Sequence, residues 1–335
     1  MKRPTYQQVA DEARVGTATV ERVLNGRGGV AGETAQKVVV AAKKLGWGQM
    51  PAMHRGVIRI EVILVRADTP FYVRLNKAFE RISASLDSNI VIQRTFVDEN
   101  DPVSVARHIE EPGFRRSGLI VVTQEHPAVR KALLRLKLEG HPVVQIVNGL
   151  PGIDLPYVGV DNYAAGRTAA YFMSKMLAPL KGTFLALCHS SAYYGQTARM
   201  LGFSDYLADN PNKDHEFPRI LFGFDSSIHC AEILEEALNQ NPYVIGLYNA
   251  GGGESGVAAQ LEKRRATNKI YWVNHEINDK HKKWLKSGLM SLTFDSAPDV
   301  QARRATDTML KALGIIDVEV PKGPVHFITA VGESF

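Results

Sequence analysis

The stretch from Thr5 to Trp47 constrains this chain more than any other. Apolar residues recur through it at helical spacing in three short runs. Tyr6 to Ala13 carries Tyr6, Val9, Ala10 and Ala13, one face of a 3.6-residue period. Arg14-Val15-Gly16 is a short turn with a glycine, the break that joins the helices of a helix-turn-helix. Thr17 to Leu24 brings Ala18, Val20, Val23 and Leu24. After a loop at 26–32, Glu33 to Leu45 turns Val38, Ala41, Ala42 and Leu45 inward. A small all-α head is predicted over 1–48.

Charge placement singles out the same region. Residues 1–57 hold nine Lys/Arg against four Asp/Glu, and the other 278 residues hold 31 of each (40 less 9, 35 less 4). The whole basic excess therefore sits on the head, where it can neutralise phosphates. A solvated helical face is the plainer reading of a charge run, but here the excess coincides with the helix-turn-helix pattern. No apolar run approaches a membrane span, and MKRPTYQQ lacks the apolar core of a secretion signal. A cytoplasmic protein is expected. Cys188 and Cys230 have no metal-ligand spacing and read as reduced, buried thiols.

Residues 49–57 (QMPAMHRGV) carry a proline, a glycine and no periodicity, and read as a linker. From Ile58 the pattern changes to eleven apolar strands, from Ile58–Val65 to Val325–Ala330, alternating with nine amphipathic helices, from Phe71–Leu86 to Pro298–Leu313. Such alternation predicts parallel sheets covered by helices on both faces. Eleven strands are many for one open sheet, so two lobes are expected.

The head residues resemble the DNA-binding head of the LacI/GalR family of bacterial transcription regulators. The segments HPAVRKAL, PYVGVDNYAAGRTAAYFM, LYNAGGGESGVAAQLE and VNHEIN extend the resemblance to members with a ribose-binding-protein-like body of the periplasmic-binding-protein type I fold. That resemblance implies two doubly wound parallel-sheet lobes joined by three crossovers, with a small molecule held between them. The body would run over 58–335, with lobe 1 at about 58–161 and 296–321 and lobe 2 at about 162–295 and 322–335.

In a helix-turn-helix the start of the second helix meets base edges in the major groove. Thr17, Ala18 and Arg22 occupy those positions. Arg22 can donate two hydrogen bonds to a guanine and is the main specificity candidate. Thr5, Thr19, Asn25 and Thr34 suit phosphate contacts, and Thr17 and Thr34 also suit helix N-caps. Glu21 either reads a cytosine amine or pairs with Arg22 or Arg14. The linker lacks the leucine that many family members wedge into the minor groove, which leaves Met53 as the wedge candidate. Reading mainly in the major groove is expected.

In the body, the resemblance implies ligand contacts on loops after strands. Thr69, Phe71 and Tyr72 match an aromatic segment that stacks on a sugar-like ring, although core packing explains the two rings equally well. Asp161 lies at the first crossover and Asp295 near the second. Arg199 precedes Gly202-Phe203, as a ligand-gripping arginine does, and can clamp hydroxyls or a carboxylate. Asn249 falls near a ligand-binding asparagine, and Glu276 where sugar binders carry an aspartate. Asn148-Gly149 replaces the Asp-Arg pair of many sugar binders, so recognition differs from that of plain ribose.

One signal competes. Gly251, Gly253 and Gly256 form G-x-G-x-x-G after a strand and before a helix, with Glu276 twenty positions on, the spacing of a dinucleotide site. A nicotinamide enzyme or a transported-solute binder are the alternatives it leaves. A glycine loop that lets backbone approach a ligand closely is preferred, because the segment lies late in the chain and belongs to the family match. His275-Glu276 and His189-Ser190-Ser191 show no catalytic set. The expectation is a homodimeric repressor without cofactor, metal or catalytic residues. It would bind a pseudo-palindromic operator and answer to a sugar, polyol or sugar acid.

Overall fold

The structure is a computed structural model that describes residues 4–25, 29–47, 57–67, 69–189, 193–265 and 269–335.

The head is three helices, α1 (Tyr6–Ala13), α2 (Thr17–Leu24) and α3 (Gly32–Lys44). Thr5 starts α1 with a reciprocal cap: its hydroxyl accepts from Gln8 N, and its own N–H donates to Gln8 Oε1 at 2.8 Å. The left-handed residue that turns the chain toward α2 is Arg14 (φ 54°), not the glycine two positions on. Val9, Ala10, Val20, Leu24, Val38, Ala41 and Ala42 meet in one core. Leu45, expected inward, is 37% exposed because α3 ends at Lys44. Gly46 (φ 75°) then reverses the chain, and Trp47 covers the core's end by stacking on Tyr6 at 5.1 Å.

In the body the first sheet is built by β1 (Ile58–Leu64), α4 (Pro70–Ser85), β2 (Ile90–Phe96), α5 (Pro102–Glu110), β3 (Gly118–Val121), α6 (Pro127–Leu138), β4 (Val143–Ile146) and β5 (Tyr157–Val158). Its strand order is β2-β1-β3-β4-β5, with parallel pairing of β1 to β3, β3 to β4 and β4 to β5. The chain then passes to a second lobe through α7 (Asn162–Met176), β6 (Gly182–Cys188), α8 (Tyr194–Asp209), β7 (His215–Glu216), β8 (Ile220–Phe222) and α9 (Ser227–Gln240). That lobe continues with β9 (Val244–Asn249), α10 (Glu254–Arg264), β10 (Tyr271–His275), α11 (Asp279–Lys286) and β11 (Leu292–Asp295). Helix α12 (Pro298–Ala312) returns to pack on β3, β4 and α4 of the first lobe, and β12 (Ile328–Ala330) closes the second sheet. The chain thus crosses between two lobes three times.

The second sheet runs β12-β11-β10-β9-β6-β7, with β8 also on β6. It is parallel except at its edge, where β12 pairs antiparallel with β11. The two parallel-sheet lobes are thus as expected, with one antiparallel strand at the second sheet's edge. The third crossover brings the chain back from the opposite direction, and an edge strand has only one neighbour to match.

Helices cover the second sheet on both sides, so its central strand β6 is buried at every residue. Along β6, Leu185 and Leu187 enter the core beneath α9 and α10, while Phe184, Ala186 and Cys188 enter the core beneath α7 and α8, the two-residue alternation of a strand. Helices α7 and α8 cross closely enough that a methyl at Gly166 would lie 1.9 Å from the Arg199 carbonyl, and one at Gly202 2.1 Å from that of Tyr163. This crossing carries Arg199 to the edge of the cleft between the lobes.

Candidate functional sites

A cavity of about 410 Å³ lies between the lobes. Its walls come from the C-terminal ends of strands: Arg66 and Thr69 after β1, Val147 and Asn148 after β4, Asp225 after β8, Gly251 to Gly253 after β9, and His275 and Glu276 at the end of β10. Open parallel sheets leave this end free because each strand hands over to a helix there. Four lining residues, Arg66 (φ 49°), Val147 (φ 68°), Asp225 (φ 55°) and Glu276 (φ 69°), adopt the left-handed conformation without being glycine. For β-branched Val147 this is a true outlier, and concentrated strain of this kind marks a site whose surroundings hold it in place.

Arg199 reaches the cavity from α8. Its Nε donates to Asn162 Oδ1 at 2.7 Å and its Nη1 to the Ala250 carbonyl at 2.7 Å. Both partners are neutral, so the guanidinium is oriented without being neutralised. Ser296 Oγ donates to Glu276 Oε1 at 2.6 Å. Burial and the nearby Asp295 charge push the Glu276 carboxyl up to about 7, against the opposing pull of Ser296, Arg199 and Arg74. Burial, helped by Arg199, holds the His275 imidazole well below its usual pKa. The ring is therefore neutral, with Nε2 2.8 Å from the Tyr248 hydroxyl. His275 Nδ1, Glu276 Oε2, Gln301 Oε1 and Tyr193 Oη are buried without a hydrogen-bond partner among the described residues, and all four residues line the cavity. Buried polar groups are seldom left unsatisfied. These four lie where a hydroxyl-rich molecule would reach them.

Of the residues expected to contact a ligand, Thr69, Phe71, Tyr72, Arg199 and Glu276 line the cavity. Tyr72 is also a core residue of α4, edge-to-face with Phe71 at 5.1 Å. The other three, Asp161, Asn249 and Asp295, are not among the lining residues. Asp161 caps α7 by accepting from Ala164 N at 2.8 Å, and its neighbour Asn162 lines the wall instead. Asn249 is fully buried; it donates to Asn274 Oδ1 at 3.0 Å and accepts from Gly251 N, which holds the glycine loop from behind. Asp295 is buried and accepts from Arg74 Nη1 at 2.6 Å and Ala297 N at 2.7 Å. In each case backbone or a cation behind the wall takes the side chain.

Sequence reasoning missed Arg66, Asp225, Gln196 and Gln301 and recorded Asn148 only as a loss. Asn148 bridges the lobes: it donates to the Thr123 carbonyl and accepts from Gly195 N at 2.8 Å. A polar residue directly after an apolar strand was the available signal for Arg66 and Asn148. Nothing comparable marks Gln301, which lies inside α12.

The glycine loop serves packing. Gly253 (φ 74°) caps α10, and a methyl at Gly256 would lie 1.8 Å from the Ser227 carbonyl of α9. Gly252 N already donates to Asp225 Oδ1 at 2.7 Å. A carboxylate thus occupies the amide that a dinucleotide's pyrophosphate would need, and it would repel that group.

On the head, Thr17, Ala18, Arg22 and Asn25 are exposed and Glu21 is partly so, along one side of α2 opposite buried Val20 and Leu24. Thr19 is half-buried. Thr17 is the first helical residue and Gly16 the cap, and Thr34 is the third residue of α3, so neither threonine takes the N-cap role that it also suits. Asn25 ends α2 and accepts from the Tyr6 hydroxyl at 3.3 Å. A methyl at Gly29 would lie 2.7 Å from Arg22 Nη2, so the loop after α2 leaves room for that guanidinium. Met53 lies outside the described residues.

A three-helix head whose second helix presents a polar face, joined to a two-lobed body with a polar cleft, defines a class of ligand-responsive regulatory protein. Residues 5–48 match the sequence model of bacterial regulatory proteins of the lacI family, and residues 60–314 match that of the periplasmic binding protein domain. The chain belongs to the periplasmic binding protein domain family through its body, and its head matches the lacI family of bacterial regulatory proteins. It is 29% identical to catabolite control protein A of Priestia megaterium over 46% of this chain and 48% of that one. It is 25% identical to the HTH-type transcriptional regulator DegA of Bacillus subtilis over 62% of this chain and 61% of that one. The matched region thus spans about half to three-fifths of these relatives. The body is similar in fold to GanP, a glucose-galactose binding protein from Geobacillus stearothermophilus, with a TM-score of 0.74, 18% identity, and coverage of 83% of this chain and 99% of that one.

Proposed function

We propose that this chain is a sequence-specific DNA-binding transcription regulator, a repressor, whose operator affinity is set by a small polyhydroxylated effector in the cleft. The observation that carries the reading is the pairing of two surfaces in one chain. One is an exposed helix face of Thr17, Ala18, Glu21 and Arg22 on a basic head. The other is a cleft whose buried groups, among them Glu276 Oε2 and Gln301 Oε1, await partners. An arginine beside acids and amides, with the half-buried Phe71 ring in the wall, suits hydroxyl groups on an apolar ring face. The regulator reading also suits DegA and catabolite control protein A, as their names describe them.

The proposed organisation is a head at 1–48, a linker at 49–57 and a body at 58–335, divided into the lobes expected from sequence. The protein acts in the cytoplasm as a homodimer on a pseudo-palindrome and catalyses no reaction. No helix among the described residues is long and apolar enough to cross a membrane. Effector binding shifts operator affinity by a coupling of about 1–3 kcal/mol, the usual range.

Two measurements test this. DNA selected from a random pool by the purified chain should yield a pseudo-palindromic consensus that binds in a gel shift. A melting-temperature screen of sugars, polyols and sugar acids should give at least one saturable rise, and that compound should change the gel shift. A saturable rise with NAD(H) but with none of those compounds would favour the enzyme reading instead.

A further inference from the structure

We infer that Arg66 and Asp225 form an inter-lobe latch that holds the effector cleft shut before any effector enters. Arg66 follows β1 in the first lobe and Asp225 follows β8 in the second, 159 positions away. Arg66 Nη1 donates to Asp225 Oδ2 across the cleft. Each side chain has a further partner in its own lobe, and Arg66 has a second contact across the cleft, with Tyr193 at the start of α8. Arg66 Nε donates to Glu99, and its guanidinium lies over the Tyr193 ring, 4.6 Å from the centroid. The other oxygen of Asp225, Oδ1, accepts from Gly252 N at 2.7 Å. The pair therefore joins the loop after β1, the loop after β8 and the glycine loop after β9 into one polar chain along the cleft.

Three features separate this contact from an incidental surface pair. The two side chains are only 14% and 13% exposed, so salt screens them weakly. Both backbones are left-handed, at φ 49° and 55°. Such geometry is costly in residues other than glycine and persists where the surroundings hold it. The contact also lies away from the crossovers. Arg74 also carries charge between the lobes, to Asp295 at 2.6 Å and more distantly to Glu276 at 4.0 Å, but Asp295 ends β11, where the backbone already joins the lobes. Arg81 to Asp299 joins α4 to α12, both packed on the first lobe.

Removing Asp225 leaves Arg66 with Glu99, so the first lobe keeps its own ion pair while the inter-lobe bond is lost. Arg66 and Asp225 are thus positioning residues that bias the open–closed equilibrium. An effector then acts on a closed state already populated, and its apparent affinity scales with that population.

The test measures the distance between lobes in the full chain without ligand. Asn100 and Ile228 are exposed, one beside Glu99 on the first lobe and the other three residues beyond Asp225 on the second. Spin labels on cysteines at these two sites report the gap directly. Cys188 and Cys230 are buried, and burial raises both thiols to about 12, which keeps labelling at the introduced sites. The wild-type background should give one short, narrow distance distribution. Asp225→Asn should lengthen it by more than roughly 2 Å, a genuine domain rearrangement. Arg66→Gln, which also removes the contact with the Tyr193 ring, should lengthen it at least as far, and the double variant should go no further than Arg66→Gln alone, because the bond to Asp225 is already lost. If Asp225→Asn does not fold, Arg66→Gln decides alone, since it leaves Asp225 on Gly252 N. A distribution unchanged by the substitutions, even with a lowered melting temperature, overturns the latch, as does a wild type that is already broad. The result is independent of whether the effector is a sugar.

Discussion

Arg199 Nε donates to Asn162 Oδ1 at 2.7 Å, so a cation on α8 is aimed into the cleft by the first side chain of α7. The close crossing of those helices at Gly166 and Gly202 makes the bond possible. The planar fork matters here, because Nη1 is engaged at the same time by the Ala250 carbonyl.

Replacing Arg199 with lysine keeps the charge and loses the fork. Hydrogen bonds to charged groups contribute about 1.5–3 kcal/mol. Effector affinity should therefore fall roughly 10- to 100-fold with the fold intact. Calorimetry with the compound found by melting screen checks this, and unchanged affinity would remove Arg199 from the site.

Glu276 predicts a pH dependence. Its carboxyl titrates near 7 in the folded chain against a reference of 4.5, so between those values the unfolded chain has released a proton that the folded chain still holds. The associated stability is fully present below about 4.5, declines as pH rises and is gone above about 7. Glu276→Gln should flatten this decline, which is on the order of 3 kcal/mol. Urea unfolding at acidic and neutral pH measures it; parallel curves for the two proteins would contradict the assignment.

Glu61 is fully buried in β1 and is held by Arg116 Nη1 at 2.6 Å, His108 Nε2 at 2.7 Å and Thr95 Oγ1 at 2.8 Å. Arg116→Ala strands that charge and should cost about 3–5 kcal/mol of body stability. The exposed Lys37–Glu33 pair provides the contrast: Lys37→Ala should leave head stability almost unchanged. Chemical denaturation distinguishes the two, and equal losses would argue against the role of burial.

Arg22 stands exposed on the proposed reading face of α2. Arg22→Ala should lose about 1–3 kcal/mol of discrimination at one base pair of each half-site while non-specific binding persists. Gel shifts against single-base operator variants measure this. An unchanged preference at every position would exclude Arg22 as a specificity residue.

Much of the architecture was legible in the sequence for local reasons. Helix α6 spans Pro127–Leu138, as periodicity and the proline at its first turn indicate. Strand β7 was missed because two polar residues, His215 and Glu216, show no alternation. The antiparallel pairing of β12 was missed because strand direction is set by the neighbour it meets, not by its own residues.

The sequence by itself determined the three-helix head, the two-lobed α/β body and the loops that bear the cleft, because helical period, strand alternation and caps are encoded within a few neighbouring residues. Only the tertiary structure decided which polar side chains face the cavity. Asn249 and Asp295 have suitable chemistry, yet both are held behind the wall by backbone amides. Arg66 and Asp225 drew no attention in the chain, yet they meet across the cleft. Side-chain direction depends on backbone twist at strand ends and on partners more than a hundred residues distant, and neither is written into the local pattern.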